Sequence, residues 1–336
     1  MKAYELREAI GVDGLVLNSA RPMPEAGHGE ILVRVRATSL NYRDLMIARG
    51  AYRSGAGPNT IPLSDGTGDV VAVGPGVTRF KIGDRVACAF FPGWLGGEIS
   101  AEAVSKALGG SADGMLAEYV ALHETAAIAI PAHMGFAEGA TLPCAGVTAW
   151  NAVVEIANIR AGQAVLLLGT GGVSLFALQF AKLHGARAIL TSSSDDKLAM
   201  AKALGADEII NYRETLDWHK KVLELTGGRG VDLVVEIGGA GTLERSIRST
   251  RLGGAVALIG VVAEPAEMDP RLVVSRGVRL QGVIVGSLEM FAAMNAALTE
   301  AELRPVIDRV FPFEEAREAY AHLQSAGHFG KVVITV

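Results

Sequence analysis

The chain has 336 residues, half of them hydrophobic, with 41 glycines and a formal net charge of −5. That length suggests two domains with sizeable cores. The acidic balance argues against nucleic acid as a partner, because no bulk positive field draws phosphate polymers. Cys88 and Cys144 are the two cysteines, so a disulfide framework is excluded and a reducing cytoplasm is the expected compartment. No signal peptide is expected, since Lys2, Glu5, Arg7 and Glu8 precede any apolar run.

The first third reads as β-rich. Ile31–Arg36 alternates apolar and charged residues, the pattern of a half-buried strand. Asp69–Val73 is a second strand, closed by the turn Gly74-Pro75-Gly76. Lys81–Asp84 forms another turn, before the strand Arg85–Ala87. Phe90-Phe91-Pro92-Gly93-Trp94 is an aromatic cluster with two readings, core packing beneath a loop or the wall of an apolar pocket. The stretch from Leu95 to Gly114 is glycine-bearing and shows no clear element.

From Val165 the rhythm changes to strand–helix repeats. Val165–Leu168 is a buried strand, Gly169-Thr170-Gly171-Gly172 a glycine-rich turn, and the run from Val173 to Lys182 a helix, stopped at Gly185. This is the phosphate-binding entrance of a dinucleotide fold. Gly169 permits the tight turn, and Gly171 lets backbone N–H groups approach a pyrophosphate at the positive helix end. Ser174 stands where a third glycine is usual and is small enough for close helix–strand packing. The stretch from Ala164 to Ala181 carries no charge, but its central glycines make it a poor membrane span.

Further strands are expected at Ala188–Thr191, Glu208–Ile210, Val231–Glu236, Ala255–Gly260 and Val278–Val285, with a helix from a Ser194 or Asp195 cap to Leu204 and another near Leu243–Ser249. Six strands with helical crossovers predict an α/β fold with a doubly wound parallel sheet. Lys331–Val336 is a last strand, expected to return to the first domain. An NAD site places an acid about 20 residues past the glycines to bind the ribose 2′-hydroxyl. Here Thr191-Ser192-Ser193-Ser194 leaves room for a 2′-phosphate.

The order of parts resembles the medium-chain dehydrogenase/reductase superfamily over nearly the whole chain. The matching motifs are Asp65-Gly66-x-Gly68-x-Val70-Val71-x-Val73-Gly74, Gly83-Asp84-Arg85-Val86, Ala117-Glu118-Tyr119-Val120, Cys144-Ala-Gly146-Val-Thr148-Ala149-Trp150, Gly169-x-Gly171-Gly172-Val173 and Gly330-Lys331-Val332-Val333. The resemblance implies a Rossmann domain over 128–286 and a GroES-like catalytic domain over 1–127 and 287–336. Zinc members of that superfamily carry Cys-His where this chain has Asn41-Tyr42, and Gly-His-Glu where it has Leu63-Ser64-Asp65. Only Cys144 matches a ligand, and no cysteine lies between Phe90 and Glu118, where a structural zinc would be held. No zinc of either kind is expected, since a catalytic zinc needs about three protein ligands plus water.

The chain then resembles the zinc-independent quinone oxidoreductase branch, the zeta-crystallin-like proteins, which use NADPH to reduce quinones or conjugated carbonyls. The resemblance implies that Lys197 and Tyr212 join Ser192 and Ser193 around the 2′-phosphate, and NADPH is favoured over NADH. Asp195 and Asp196 complicate that reading unless they serve the helix N-terminus. Thr148 would lie near the nicotinamide ribose, Gly260, Val261 and Ser287 would face the nicotinamide, and Lys331 would reach the pyrophosphate. Asn41, Tyr42 and Tyr52 adjoin the abandoned metal position and are the candidate donors to a substrate oxygen, with Tyr52 the favoured proton donor. Two alternatives stand beside this reading: an alcohol dehydrogenase-type enzyme, and an NADPH-binding structural or regulatory protein with little turnover. An uncovered apolar edge at Val278–Val285 predicts a homodimer.

Overall fold

Strands that alternate apolar and polar residues give way to continuous apolar strands at Ala164, and the chain divides accordingly. In the computed structural model, which describes residues 1–8, 10–52, 55, 57–260 and 267–336, one unit comprises Met1–Val147 with Gly286–Val336 and the other Thr148–Val285.

In the first unit, Glu30–Ser39 lies between Lys331–Thr335 and Asp65–Val73, antiparallel to both. The sheet continues from Asp65–Val73 through Arg85–Cys88 to Ala127–Ala129, while Tyr119–His123 also pairs with Glu30–Ser39. The C-terminal strand therefore returns to the first unit as expected. Its core joins Ile31, Val33, Leu63, Met115, Leu116 and Tyr320. Each such buried aliphatic side chain contributes roughly 1.5–3 kcal/mol relative to exposure.

The expected boundary at residue 127 falls 20 residues early. Residues 128–147 stay with the first unit because Thr67 Oγ1 donates to Phe136 O at 2.7 Å and Cys144 N to Asp65 Oδ2 at 3.3 Å. Arg304 also binds the Glu138 carboxylate through one guanidinium nitrogen at 2.6 and 2.7 Å.

The second unit is a six-stranded parallel sheet in the order Glu208–Asn211, Arg187–Ser192, Ala164–Leu168, Val231–Glu236, Thr250–Leu258, Arg279–Gly282. Numbered along the chain, that order is 3-2-1-4-5-6, the doubly wound arrangement. Ala164–Leu168 and Val231–Glu236 are buried throughout, as a sheet covered by helices on both faces requires. Asp232 ties three strands at their starting ends. It accepts from Ala164 N at 2.9 Å, from Arg229 through two nitrogens, and from Arg251 Nε at 2.6 Å.

The sixth strand is half its expected length. Beyond its end, Val285 has φ 52°, a conformation that a β-branched residue rarely adopts, and its O accepts from Asn151 Nδ2 at 2.7 Å. Val278, Val283 and Val285 are buried, while Arg279 and Gln281 are exposed, so the edge is less apolar than its sequence suggests. Among the described residues no helix is long and apolar enough to cross a membrane.

Candidate active site

The glycine-rich turn has the expected form. Gly169 leaves the first strand at φ 73° and donates from its N–H to Thr191 O at 2.8 Å. Gly171 then starts the helix Gly172–Leu183 with no side chain capping it. A Cβ at Gly171 would meet no atom within 4 Å, so its missing side chain leaves a cradle open at a helix N-terminus. Gly172 and Val173 are half-buried at the same end, and Thr170 is buried. Ser174 is fully buried and donates to Leu168 O at 2.6 Å. Its hydroxyl therefore replaces the third glycine's close packing with a bond between helix and strand. This open helix end fits a pyrophosphate.

The hydroxyl run ends the second strand beside it. Ser192 is buried, Ser193 and Lys197 are half-buried, and Tyr212 is partly exposed. Tyr212 N donates to Ser192 O at 3.1 Å, which brings the second and third strand ends together. The helix cap is Ser194, whose Oγ accepts from Lys197 N at 3.4 Å. Asp195 is turned aside by Asn211, whose Nδ2 donates to its Oδ1 at 2.8 Å. The structure thus sets Ser192 and Tyr212 at adjacent strand ends, with Lys197 in the first turn of the following helix, and gives one of the two neighbouring acids another partner.

The fourth and fifth strands end close together, with Ile259 N donating to Glu236 O at 2.8 Å. A Cβ at Gly260 would lie 1.5 Å from Ile237 O, so only glycine allows this crossing. Val261 lies outside the described residues. Thr148 is buried. Sequence reasoning missed Glu236, a fully buried carboxylate that accepts from Gly238 N at 2.7 Å, Gly239 N at 3.0 Å, Thr242 Oγ1 at 2.6 Å and Ser246 Oγ. The available signal was an acid closing an otherwise apolar strand.

In the first unit Asn41 adjoins a buried charged cluster. Asn41 precedes the helix Tyr42–Ala48, and its N–H donates to Asp44 Oδ2 at 2.7 Å. Its side chain turns instead to Lys331, whose Nζ donates to Asn41 Oδ1 and to Leu40 O, both at 2.6 Å. The same ammonium lies 3.8 Å from Asp65 Oδ2. Lys331 is 3% exposed and Asp65 fully buried. Burial pushes the Asp65 carboxyl upward, while Lys331, Asn41, a 2.8 Å bond from Ser64 Oγ and the Cys144 N–H oppose it. Lys331, expected to reach a pyrophosphate, has its ammonium turned inward here and held by Leu40, Asn41 and Asp65.

Tyr42 and Tyr52 are both partly exposed. The Arg43 guanidinium sits 5.5 Å from the Tyr52 ring centre and 4.6 Å from that of Phe90, and donates to Leu108 O at 3.0 Å. Phe90, Phe91 and Trp94 are all buried, with ring centres 4.6 and 6.4 Å apart, so the aromatic cluster is core beneath the loop. Ser287 is a helix cap whose Oγ accepts from Met290 N at 3.2 Å, so its hydroxyl serves the fold.

The groups at the matched zinc positions are Asn41, Ser64-Asp65 and Cys144. Burial, with Asp65 nearby, pushes the Cys144 thiol up. The carboxylate already faces an ammonium and the amide oxygen is already engaged. This donor set does not fit a catalytic zinc, which needs deprotonated soft ligands and an open position.

Comparison with known proteins identifies the family. Residues 27–132 match the alcohol dehydrogenase GroES-like domain, and residues 172–300 match the zinc-binding dehydrogenase domain. A zinc-type alcohol dehydrogenase-like protein of Schizosaccharomyces pombe is 41% identical, covering 98% of this chain and 97% of its own. The rat quinone oxidoreductase is 29% identical, covering 99% and 97%. Among solved structures, an NAD-dependent alcohol dehydrogenase superposes with TM-score 0.92 at 36% identity, and a mycobacterial protein complexed with NADPH with TM-score 0.85 at 28% identity, each over 100% of both chains. With both its units and its motifs accounted for, the chain belongs to the medium-chain dehydrogenase/reductase superfamily and is an oxidoreductase of that family.

Proposed function

We propose that this protein is a metal-independent, NADPH-dependent reductase of quinones or α,β-unsaturated carbonyl compounds. The observation that carries this reading is the inward ammonium of Lys331 beside Asp65 and Asn41, where zinc relatives gather metal ligands. A site whose own lysine neutralises the only buried carboxylate at those positions has no need of a second cation.

Bound NADPH supplies a hydride to the electrophilic carbon. The chain's residues bind and orient. The helix N-terminus at Gly171–Val173 receives the pyrophosphate, and Ser192, Ser193, Lys197 and Tyr212 receive the 2′-phosphate, Lys197 through its charge. In the first unit, the partly exposed Tyr42 and Tyr52 are the donors for the oxygen that gains negative charge. Tyr52 supplies the proton that completes reduction at the carbon next to the carbonyl, or at a quinone oxygen.

A second reading is favoured by names. The 41% identical relative is called a zinc-type alcohol dehydrogenase-like protein, and a 36% identical structure an NAD-dependent alcohol dehydrogenase. One assay separates the two. Purified protein is offered NADPH or NADH with quinones, enones, acrylyl thioesters and aldehydes, and NAD⁺ or NADP⁺ with alcohols, with and without added zinc. The proposal expects NADPH oxidation by a quinone or enone without zinc. Zinc-stimulated alcohol oxidation alone would replace it with the second reading.

A further inference from the structure

Arg43 carries its charge where little water reaches it. The residue is 8% exposed, and its Nε and Nη2 have no hydrogen-bond partner among the described residues. A buried charge persists only where neighbours balance it. Three kinds of neighbour do so here. Nη1 donates to Leu108 O at 3.0 Å. The Asp44 carboxylate lies 3.6 Å from the same nitrogen. Two aromatic rings do the rest: the guanidinium carbon stands over Phe90, 4.6 Å from its centre, and over Tyr52, 5.5 Å from its centre. A cation within about 6 Å of a ring centre is drawn to the negative face of the ring.

These neighbours differ in how firmly they are fixed. Phe90 is buried, its O accepts from Leu108 N at 3.2 Å, and Leu108 O in turn accepts from Arg43. Phe90, Leu108 and Arg43 thus close a ring of contacts inside the first unit. Tyr52 is partly exposed and lies beyond the end of the helix Tyr42–Ala48. Arg43 is where the buried frame meets this accessible phenol.

We propose that Arg43 is a positioning residue: its guanidinium, clamped by Phe90 and Leu108, holds the Tyr52 ring so that the phenol is presented as proton donor. This rests on the reductase reading above, in which Tyr52 completes the reduction. Arginine suits the task because its flat, delocalised cation lies against a ring. The ammonium of a lysine is a compact point charge and offers no such face.

The test compares four variants of the full chain with the wild type. Arg43→Lys keeps a cation for Asp44 and loses the flat guanidinium. Arg43→Met combined with Asp44→Asn removes both charges together. Tyr52→Phe keeps the ring and deletes the hydroxyl, and the last variant combines Tyr52→Phe with Arg43→Lys. For each, kcat and KM with the best acceptor, the NADPH dissociation constant and the thermal midpoint are measured. Each protein is also labelled with 3-fluorotyrosine at its six tyrosines, and the Tyr52 fluorine resonance is assigned by its loss in Tyr52→Phe. Both Arg43 variants should lose about fivefold in kcat, the size of one cation–π contact, with NADPH affinity within about twofold of the wild type. Arg43→Lys should cost nothing further in the Tyr52→Phe background. The Tyr52 resonance should move in both Arg43 variants. If the charge-free pair does not fold, Arg43→Lys carries the test alone. A wild-type kcat in Arg43→Lys overturns the inference, and so does an unmoved Tyr52 resonance. An equal further loss in the Tyr52→Phe background also overturns it, because Arg43 then acts on the fold in general. A wild-type kcat in Tyr52→Phe removes the donor and the role of Arg43 together. Failure of the wild type to oxidise NADPH with any acceptor overturns the reductase reading instead, and the fluorine shift then decides whether Arg43 fixes the ring.

Discussion

Single residues separate what holds the fold from what serves the coenzyme. A Cβ at Gly171 would fill open space, and the backbone there has φ −79°. Gly171→Val should leave the thermal midpoint nearly unchanged and weaken NADPH binding about tenfold or more, because it obstructs the cradle where backbone N–H groups meet phosphate. Gly260→Ala should do the reverse. Its side chain would collide with Ile237 O, so soluble yield and thermal midpoint should fall before any binding is measured. Tyr52→Phe should lower kcat about tenfold or more if the phenol delivers the proton; an unchanged rate would remove Tyr52 from the reaction. Asp44 makes a prediction in pH. Burial raises its carboxyl to about 6, with Arg43 and the Asn41 N–H opposing. Its folded pKa lies above its unfolded value, so its contribution is largest in acid and declines as pH rises through 6. Relative to Asp44→Asn, the wild type should lose roughly 3 kcal/mol of stability between pH 4 and 7. Denaturant titrations of the two proteins at several pH values would check this, and a pH-independent difference would contradict it.

The elements were legible to different degrees. The central strands of the parallel sheet can be found from their apolar runs, because a sheet covered on both faces favours continuous apolar residues. The phosphate turn is equally plain, since Gly169-Thr170-Gly171-Gly172 sits between strand and helix. What escaped was set by contacts distant in sequence. Residues 128–147 belong to the first unit through bonds to Thr67 and Asp65, and no local pattern announces that. The inward turn of Lys331 is set by Leu40, Asn41 and Asp65, which lie hundreds of residues away. Glu236 and Asp232 read as polar intrusions in one apolar strand, yet each collects four or more donors. For Asp232, burial raises the carboxyl, but Arg229, the Ala164 N–H and Arg251 outweigh it and hold it at about 2. That depressed pKa gives a stabilisation that is complete above the ordinary aspartate range and is lost as pH falls toward 2. Asp232→Asn should therefore lose its disadvantage in acid, and denaturation curves from pH 5 to pH 2 should converge with those of the wild type.

At the scale of the whole molecule, we propose a homodimer paired along the edge strand Arg279–Gly282. Val278, Val283 and Val285, once expected to drive that pairing, are buried within the unit, while Ile284 next to the strand is 52% exposed. Light scattering at micromolar concentration should give twice the chain mass of 35.0 kDa, and a monomer mass would remove the proposal. The larger claim concerns where the electrons go. The chain offers a helix end for phosphates, hydroxyl side chains at Ser192 and Ser193 in the same segment as Lys197, and in its other unit a buried Lys331–Asp65 pair. The measurement that bears on it most directly uses NADPH deuterated at C4, a chelator-treated protein whose zinc content has been determined, and an enone acceptor. Deuterium recovered on the β-carbon of the product, with far less than one zinc per chain, is the predicted result. Product without deuterium, or no product until zinc is restored, would contradict it.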